Sequence, residues 1–506
     1  MNEYDSQVAT GFLKAAGFEI VEESNSLCHP ERSEGSQAEI LRPSGPQDDG
    51  VGADVVLMNT CSVREHAEDR VYSRLGMLGK IKKTHPGLIV GLMGCMVEEH
   101  REKLFERFPQ LDLMIGTRNI KDLPSLIDEV QKTRQQTARI KQDGLSIEYT
   151  DLIRRTSRWH AWLPIMTGCD KICTFCIVPI TRGAEVSMPA REVYREASRL
   201  VGEGVKWITL LGQNVNSYTG RSPIPMIGDR KRLSNSTYER ADVNSYAGSD
   251  EGAAAGASSW IPPPRHSEDA TLRMTQDGKA KTSFPQLLEI LCQIEGLERI
   301  SFTTSHPSDA TEELFQVIAR NPKISRRFHL PLQSGSDRVL KRMKRLHTYE
   351  DYKKKIDRLR ALVPDVSITT DIIAGFPGET EADHEATMRS LEEIRYDDAY
   401  IFKYSVRPGT PAAKLEDDVP LPAKEKRNAE LLGLQRRIMR EKNEAWVGRT
   451  VGVFAEDVSA KRPEELLGRT IQEKRVVFAA PREVIGSFRD VSLLEVKGET
   501  FRGRLA

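Results

Sequence analysis

At 506 residues the chain is too long for a single hydrophobic core, and its length favours about three domains. Its 74 Lys and Arg residues balance 74 Asp and Glu residues, so any attraction to nucleic acid must come from a local patch rather than from the overall field. No apolar run approaches the roughly 18 residues that a membrane span needs, no signal-peptide pattern opens the chain, and the seven cysteines lack a regular pairing pattern. These features favour metal binding in a reducing compartment over a disulfide framework and predict a multidomain protein of the cytoplasm.

Residues 1–135 alternate helical and strand patterns, which predicts a doubly wound α/β domain. The expected elements are a helix near Asp5–Ala16 and strands near Ala53–Asn59, Leu88–Leu92 and Asp112–Ile115. Ligands of such sheets gather beyond the carboxyl ends of the strands, and Cys61 and Cys95 fall there. The two cysteines are therefore candidates for a shared site, and the alternative is that each is a small buried hydrophobe.

Two segments, residues 22–52 and 219–282, are rich in Ser, Pro, Gly and charged residues. Such composition predicts irregular surface insertions outside any packed core. Strand and helix patterns resume beyond each segment, and long loops of this kind cost little stability. Cys28, in the first insertion, is expected to be an exposed thiol without a role.

A strand–helix unit repeats six times within residues 155–445. The candidate strands are Leu163–Met166, Trp207–Leu211, Arg299–Thr303, Phe328–Pro331, Ser367–Ile373 and Ala399–Tyr404. Six such units predict a parallel sheet curled into a partial (β/α)6 barrel. Reactive residues of β/α barrels lie in the loops that follow the strands.

Three cysteines, Cys169, Cys173 and Cys176, follow the first of these strands with the spacing C-x3-C-x2-C. Cysteine sulfurs hold iron–sulfur clusters, and three ligands on a four-iron cluster leave one iron open to a substrate or cofactor. A structural zinc site needs four ligands, but the nearest histidine, His160, precedes the strand. The pattern favours the open iron–sulfur cluster over zinc or inert thiols.

The C-terminal part of the chain begins with a basic helical connector at residues 420–444, and short Val-rich segments within residues 446–506 then predict a small β-barrel. Five-stranded barrels of this size often bind oligonucleotides. Lys461, Arg462, Lys474 and Arg475 are candidate phosphate contacts, among other basic residues. The alternative is a solvated mixed-charge surface, because eleven basic residues face nine acidic ones from Arg449 onward.

The chain resembles the radical S-adenosylmethionine (SAM) methylthiotransferase family with its C-terminal TRAM domain. The resemblance lies in the order of an α/β domain with strand-end cysteines, the three-cysteine motif and the small barrel. Five further stretches are similar to that family: Thr181–Gly183, Leu210–Tyr218, Phe302–Pro307, His329–Ser336 and Tyr404–Ala412. The Gly212–Tyr218 part favours the branch that methylthiolates carbon 2 of N6-isopentenyladenosine in tRNA. The other branches act on threonylcarbamoyl-adenosine or on a ribosomal protein, and a non-catalytic RNA-binding metalloprotein is the alternative from a different class.

The resemblance implies that a [4Fe-4S] cluster on the three cysteines cleaves SAM to a 5′-deoxyadenosyl radical and that a second SAM supplies the methyl group. Cys61 and Cys95 match two of the three ligands of an auxiliary cluster that supplies sulfur. The implied SAM contacts are Gly212, Gln213, Asn214, Ser305, Gln333, Ser334, Asp371 and Gly375, with ordinary turn geometry as the alternative reading of the glycines. The implied partners are tRNA, an electron donor and a sulfur or cluster supply protein. The chain itself is expected to be a monomer.

The chain departs from the family pattern at its beginning. The first auxiliary-cluster cysteine of the family precedes a Met-Asn pair, and here Met1 and Asn2 occupy that pair. The α/β domain also opens on a helix where a strand is expected. Both features are expected if translation begins upstream; the alternatives are a variant with a weakened auxiliary cluster and replacement of the missing ligand by Cys28.

Overall fold

The computed structural model describes residues 2–22, 38–43, 54–60, 65–140, 151–221 and 281–506. The N-terminal region contains α1 Asn2–Ala15, β1 Phe18–Glu22, β2 Ala38–Pro43, β3 Val55–Thr60, α2 Glu65–Thr84, β4 Ile89–Gly94, α3 Cys95–His100, α4 Lys103–Arg107, β5 Leu113–Ile115, α5 Leu123–Thr133 and β6 Thr137–Arg139. Its strands form one sheet in the order β1 to β6. Strands β3 to β6 are parallel, whereas β2 runs antiparallel to both β1 and β3.

Both faces of this sheet are covered, which confirms the doubly wound α/β arrangement. Val55 and Leu57 of β3 pack into one apolar cluster with α1 and α5, while Val56 and Met58 pack into a second cluster with α2 to α4. Alternate residues of a strand point to opposite faces, and all six residues of β3 are buried. A strand buried on both faces reads as a continuous apolar run, which is why the sequence predicted it.

The expectation of an irregular insertion at residues 22–52 is wrong for Ala38–Pro43, which forms β2. This strand pairs with β1 on one side and β3 on the other, and so extends the parallel part of the sheet by an antiparallel edge. Residues 23–37 and 44–53 lie outside the described residues. Cys28 is among them, so the expectation for this thiol stays untested.

Six parallel strands then form the predicted partial barrel. This region contains β7 His160–Pro164, β8 Met166–Thr167, α6 Val178–Thr181, β9 Val186–Ser187, α7 Ala190–Gly202, β10 Trp207–Leu211, β11 Thr219–Arg221, β12 Lys281–Ser283, α8 Phe284–Cys292, β13 Arg299–Phe302, α9 Glu312–Arg320, β14 Arg327–His329, α10 Asp337–Arg342, α11 Tyr349–Leu362, β15 Ser367–Ala374, α12 Glu381–Ile394 and β16 Asp398–Lys403. The barrel strands are ordered β7-β10-β13 and β14-β15-β16, and a parallel bridge between Ile300 and Ile324 connects the two halves. Strands β11 and β12 pair across the predicted second insertion, whose residues 222–280 lie outside the described part.

Local signals fix the helices around the barrel. Helices α8, α11 and α12 begin at capping boxes whose first residues are Ser283, Thr348 and Thr380. In each box the hydroxyl accepts a backbone N–H three residues on, while a side chain there accepts the capping residue's own N–H. One large apolar core fills the space between the strands and these helices.

The chain ends with α13 Leu421–Glu444 and the strands β17 Thr450–Ser459, β18 Arg462–Thr470, β19 Arg475–Ala479, β20 Phe488–Lys497 and β21 Thr500–Leu505. The five strands close in the order β17-β18-β19-β21-β20, which confirms the predicted small barrel. Arg299 of β13 joins it to the half-barrel, because its guanidinium is fully buried between Trp207 and Phe488, 4.7 and 4.9 Å from the two ring centres. Among the described residues, no helix is long and apolar enough to cross a membrane.

Candidate radical site and auxiliary cysteine site

The three clustered cysteines lie in the loop after the first barrel strand, at the carboxyl end of the sheet. Gly168 turns the chain into this loop with a φ of 74°, and a Cβ there would overlap the backbone of Ala184. Only glycine fits such a position without strain. The Cys169 N–H donates to the Gly183 carbonyl at 3.2 Å, so the start of the loop is tied to the segment that follows α6.

The environment of two of the three sulfur atoms, those of Cys169 and Cys176, disfavours the bare thiolate. Burial and the neighbouring thiols raise the pKa of Cys176 to about 12, and burial also raises the pKa of Cys169. Cys173 is buried, and its sulfur accepts a hydrogen bond from Arg345 Nη1 at 3.4 Å. A cationic metal core removes the mutual repulsion that keeps such thiols protonated. The donor set therefore fits an iron–sulfur cluster with three protein ligands.

His306 and Arg345 surround Cys173, and the sequence reasoning assigned neither a role. His306 Nε2 lies 3.8 Å from the Cys173 sulfur, while its Nδ1 pairs with the Ser308 hydroxyl at 2.7 Å. Burial, assisted by nearby Arg345 and Lys171, lowers the pKa of His306 to about 2, so the imidazole stays neutral. His306 lies in the family-like stretch Phe302–Pro307, which could have pointed to it. No spacing pattern points to Arg345, which is 172 positions from Cys173.

The loop after β10 contains both unpaired polar atoms and polar groups that hold the loop in place. Gly212 has no room for a side chain, since a Cβ would overlap Met166. The Asn214 amide is fully used, donating to Asp309 at 2.6 Å and accepting the His306 N–H at 3.0 Å. By contrast, Gln213 Oε1 is buried without a hydrogen-bond partner among the described residues. Gln213 thus remains a candidate for a ligand contact, whereas Asn214 positions the loop.

The loops after β13, β14 and β15 add further open positions. Gln333 has a φ of 75°, rare for a residue with a side chain, and its buried Oε1 has no partner in the described part of the chain. Ser305 donates to the amide oxygen of Asn216, whose Nδ2 is likewise unpaired there. Buried polar atoms are normally satisfied. Three unpaired amide atoms at the carboxyl ends of the strands therefore fit a polar cofactor such as SAM.

Of the remaining candidate residues, one has a partly exposed carboxylate and the other two contact the surrounding structure. Asp371 is partly exposed and lies 3.5 Å from His329 Nε2. Gly375 adopts a φ of 72° against the Lys424 side chain, so its role is to permit a close approach. The Ser334 hydroxyl is fully buried and lies 3.3 Å from the Thr387 hydroxyl of α12. The Ser334 hydroxyl thus faces the outer helix, and the assignment of Ser334 as a cofactor contact stays a prediction.

The second cysteine site lies at the carboxyl end of β4. Cys95 is the first residue of α3 and is buried, after Gly94 with a φ of 99°. The Arg182 guanidinium, 3% exposed, donates to Asp5 of α1 at 2.6 Å and also contacts Cys95. Burial opposes the charge of Arg182, but Asp5 and Cys95 raise its pKa above the ordinary value. Cys61 lies outside the described residues, so the expected pairing with Cys95 stays a prediction.

The predicted phosphate contacts on the C-terminal barrel are not equivalent. Lys461, Arg462 and Arg475 are exposed, although Arg462 also contacts Glu465 at 3.4 Å. Lys474 instead points back at the half-barrel, where its amine lies 3.3 Å from Asp397 and 3.0 Å from the Asn443 side-chain oxygen. This ion pair makes Lys474 the least available of the four to a phosphate, and its assignment as a phosphate contact stays a prediction.

The sequence matches two family models: the radical SAM superfamily over residues 163–391, and an uncharacterized protein family, UPF0004, over residues 37–116. It is 39% identical over 457 residues to a tRNA-2-methylthio-N(6)-dimethylallyladenosine synthase from Dictyoglomus thermophilum, covering 89% of this chain and 90% of that protein. The chain belongs to this family. A relative of the same name from Aeromonas salmonicida is 36% identical over 507 residues, covering 100% of this chain and 89% of its own length.

Among solved structures, the radical SAM methyltransferase TsrM from Kitasatospora setae is 12% identical, with a TM-score of 0.44, and the match covers 67% of this chain and 60% of that one. Family membership makes the chain a radical SAM methylthiotransferase whose cofactors are SAM and [4Fe-4S] clusters. The three-cysteine loop and the unpaired amides fit that requirement.

Proposed function

We propose that the chain methylthiolates carbon 2 of N6-isopentenyladenosine next to the anticodon of tRNA and consumes two SAM molecules for each product. The observation that carries this proposal is the combination of long full-length relatives of that name with a three-cysteine loop after the first strand of a six-stranded half-barrel. When bound, the cluster and SAM supply a radical able to break the unactivated C–H bond of the adenine ring.

The residues of the half-barrel have separate tasks in this proposal. Cys169, Cys173 and Cys176 hold the cluster and leave one iron open for SAM. Gln213 and Gln333 offer their unpaired amide oxygens to the ammonium and hydroxyl groups of SAM, and Asp371 offers a carboxylate from the neighbouring strand. Asn214 and His306 hold the loops around them in place through the 3.0 Å hydrogen bond.

The N-terminal region supplies sulfur in the same proposal. Cys61 and Cys95 are two ligands of the auxiliary cluster, and Arg182 sets a positive charge beside the second. An electron donor and a sulfur or cluster supply protein complete the cycle. We further propose a monomeric enzyme of the cytoplasm, divided into units at 1–135, 155–445 and 446–506, with Lys461, Arg462 and Arg475 of the last unit binding tRNA phosphates.

The test is methylthiolation by the full chain, reconstituted anaerobically with iron and sulfide. The protein is incubated with SAM, dithionite and tRNA carrying N6-isopentenyladenosine, and digested nucleosides are measured by mass spectrometry. Cys173→Ala should abolish the 2-methylthio product, whereas Cys292→Ala, on α8, should retain it. Modification of tRNA carrying threonylcarbamoyl-adenosine, with none on the isopentenyl substrate, would reject the proposed substrate.

A further inference from the structure

Arg345 is a buried cation that donates a hydrogen bond to a proposed cluster ligand. Its Nη1 donates to the Cys173 sulfur at 3.4 Å and its Nη2 donates to the Pro331 carbonyl at 2.7 Å, and the residue is only 9% exposed. Among the described residues, no carboxylate lies within ion-pair distance of this guanidinium. A buried charge without a counterion is costly, so the position calls for an anion.

The other cation near the loop differs in this respect. Lys171, two residues before Cys173, pairs with Asp309 at 2.8 Å, so its charge is already neutralised. Arg345 is therefore a cation that donates directly to the Cys173 sulfur and has no carboxylate partner within the part of the chain that the structure describes.

The cluster would provide the missing anion. A [4Fe-4S] core of charge 2+ with three thiolates is a monoanion, and it becomes a dianion when one electron enters the core. A fixed cation beside a ligand sulfur favours the more negative state, and hydrogen bonds to the sulfurs are among the groups that set cluster potentials.

We infer that Arg345 is a positioning residue that raises the reduction potential of the radical SAM cluster through its hydrogen bond to Cys173. The inference rests on the proposed assignment of the three cysteines as cluster ligands. It identifies the residue that makes this cluster easier to reduce, which neither the sequence pattern nor the relatives' names assign. The hydrogen bond from Arg345 to the Pro331 carbonyl also fixes the direction of the hydrogen bond from Arg345 to the Cys173 sulfur.

The test is a redox titration monitored by electron paramagnetic resonance on full-length protein without SAM. A Cys61→Ala/Cys95→Ala background removes the proposed auxiliary ligands, so the reduced signal reports the three-cysteine cluster. A reducible signal in that background supports the ligand assignment separately from Arg345. Arg345→Met should then make reduction about tenfold less favourable, which is a fall of about 59 mV for one electron.

Arg342→Met is the matched control. Arg342 lies three positions earlier and donates to the Pro377 carbonyl at 3.0 Å, so its loss removes one charge nearby without removing a bond to sulfur. Its midpoint potential should match that of the parent. Arg345→Gln keeps an N–H donor but loses the charge, and should also lower the potential.

A parent-like potential in iron-loaded Arg345→Met or Arg345→Gln overturns the inference, as does an equal fall in Arg342→Met. If neither Arg345 variant holds iron while both apo-proteins melt like the parent, the inference also fails, since Arg345 would then serve cluster assembly. A fall confined to the Arg345 variants supports it, because a purely structural role would move melting rather than potential.

Discussion

The buried ion pair between Arg182 and Asp5 should control how firmly α1 is held. The two side chains are each 3% exposed and their charged atoms lie 2.6 Å apart. Removing one partner of such a pair leaves an uncompensated buried charge and typically costs about 3–5 kcal/mol. Asp5→Asn should therefore weaken the docking of α1 by that amount.

The lost free energy should be measurable as faster amide hydrogen exchange in α1. Since each 1.4 kcal/mol is about a factor of ten, the open population of α1 should rise by roughly two to three and a half orders of magnitude, and its amides should exchange faster by that factor. Mass spectrometry of the peptides from α1 in apo-protein measures the change. The exposed pair Glu312–Arg358, with side chains 46% and 51% exposed, provides the control. Glu312→Ala should leave exchange unchanged, because exposed pairs contribute little.

A double variant separates the pair from general damage. Asp5→Leu combined with Arg182→Met replaces both charges by apolar groups and should recover much of the lost protection, since such replacements are often neutral or stabilising. Additive losses in the double variant, or a change below about tenfold in Asp5→Asn, would refute the reasoning.

Three further predictions follow from single positions. Gly11→Ala should destabilise the protein although Gly11 lies in helix α1, because the added Cβ would overlap a backbone carbonyl. Gly433 has open space around it, so Gly433→Ala should stabilise α13 by about 0.5–1 kcal/mol in thermal melts. Burial lowers the pKa of His160 from 6.5 to about 3, so the unfolded chain binds a proton that the folded chain refuses between those values. Stability should then fall by roughly 1.4 kcal/mol for each unit as pH drops below 6.5, and His160→Asn should flatten that slope in urea titrations. Lys461→Ala should weaken tRNA binding and reduce the salt dependence of affinity by about one unit of slope, whereas Lys474→Ala should leave that slope unchanged.

The strands of the half-barrel were predictable because their physical environment is uniform. A parallel strand covered on both faces is predominantly apolar, so Trp207–Leu211 stands out from the polar segments around it. The antiparallel strand Ala38–Pro43 carries no such run and has Ser- and Pro-rich neighbours. Its place depends on pairing with β1 and β3, which composition does not encode.

The cysteine loop was predictable from local spacing, but its surroundings were not. Cys169, Cys173 and Cys176 lie within eight consecutive positions, so their chemistry is visible in one segment. Arg345 reaches the same sulfur from 172 positions away, and only the closure of the half-barrel brings it there. Adjacent residues can also diverge: Lys474 enters an ion pair with Asp397, while Arg475 faces solvent.

The two cysteine sites are joined by a single short segment. The side chain of Arg182 contacts Cys95 and Asp5, while the carbonyl of the next residue, Gly183, accepts the N–H of Cys169 at 3.2 Å. Gly183 has a φ of 76°, and Arg118 of the N-terminal region donates to the Arg182 carbonyl at 2.7 Å. The Arg182 side chain contacts Cys95 and the Gly183 carbonyl contacts Cys169. A shift of this two-residue segment must therefore move both contacts. The distance between Cys95 and the three-cysteine loop thus depends on a local backbone conformation, and Gly183 permits that conformation at little strain.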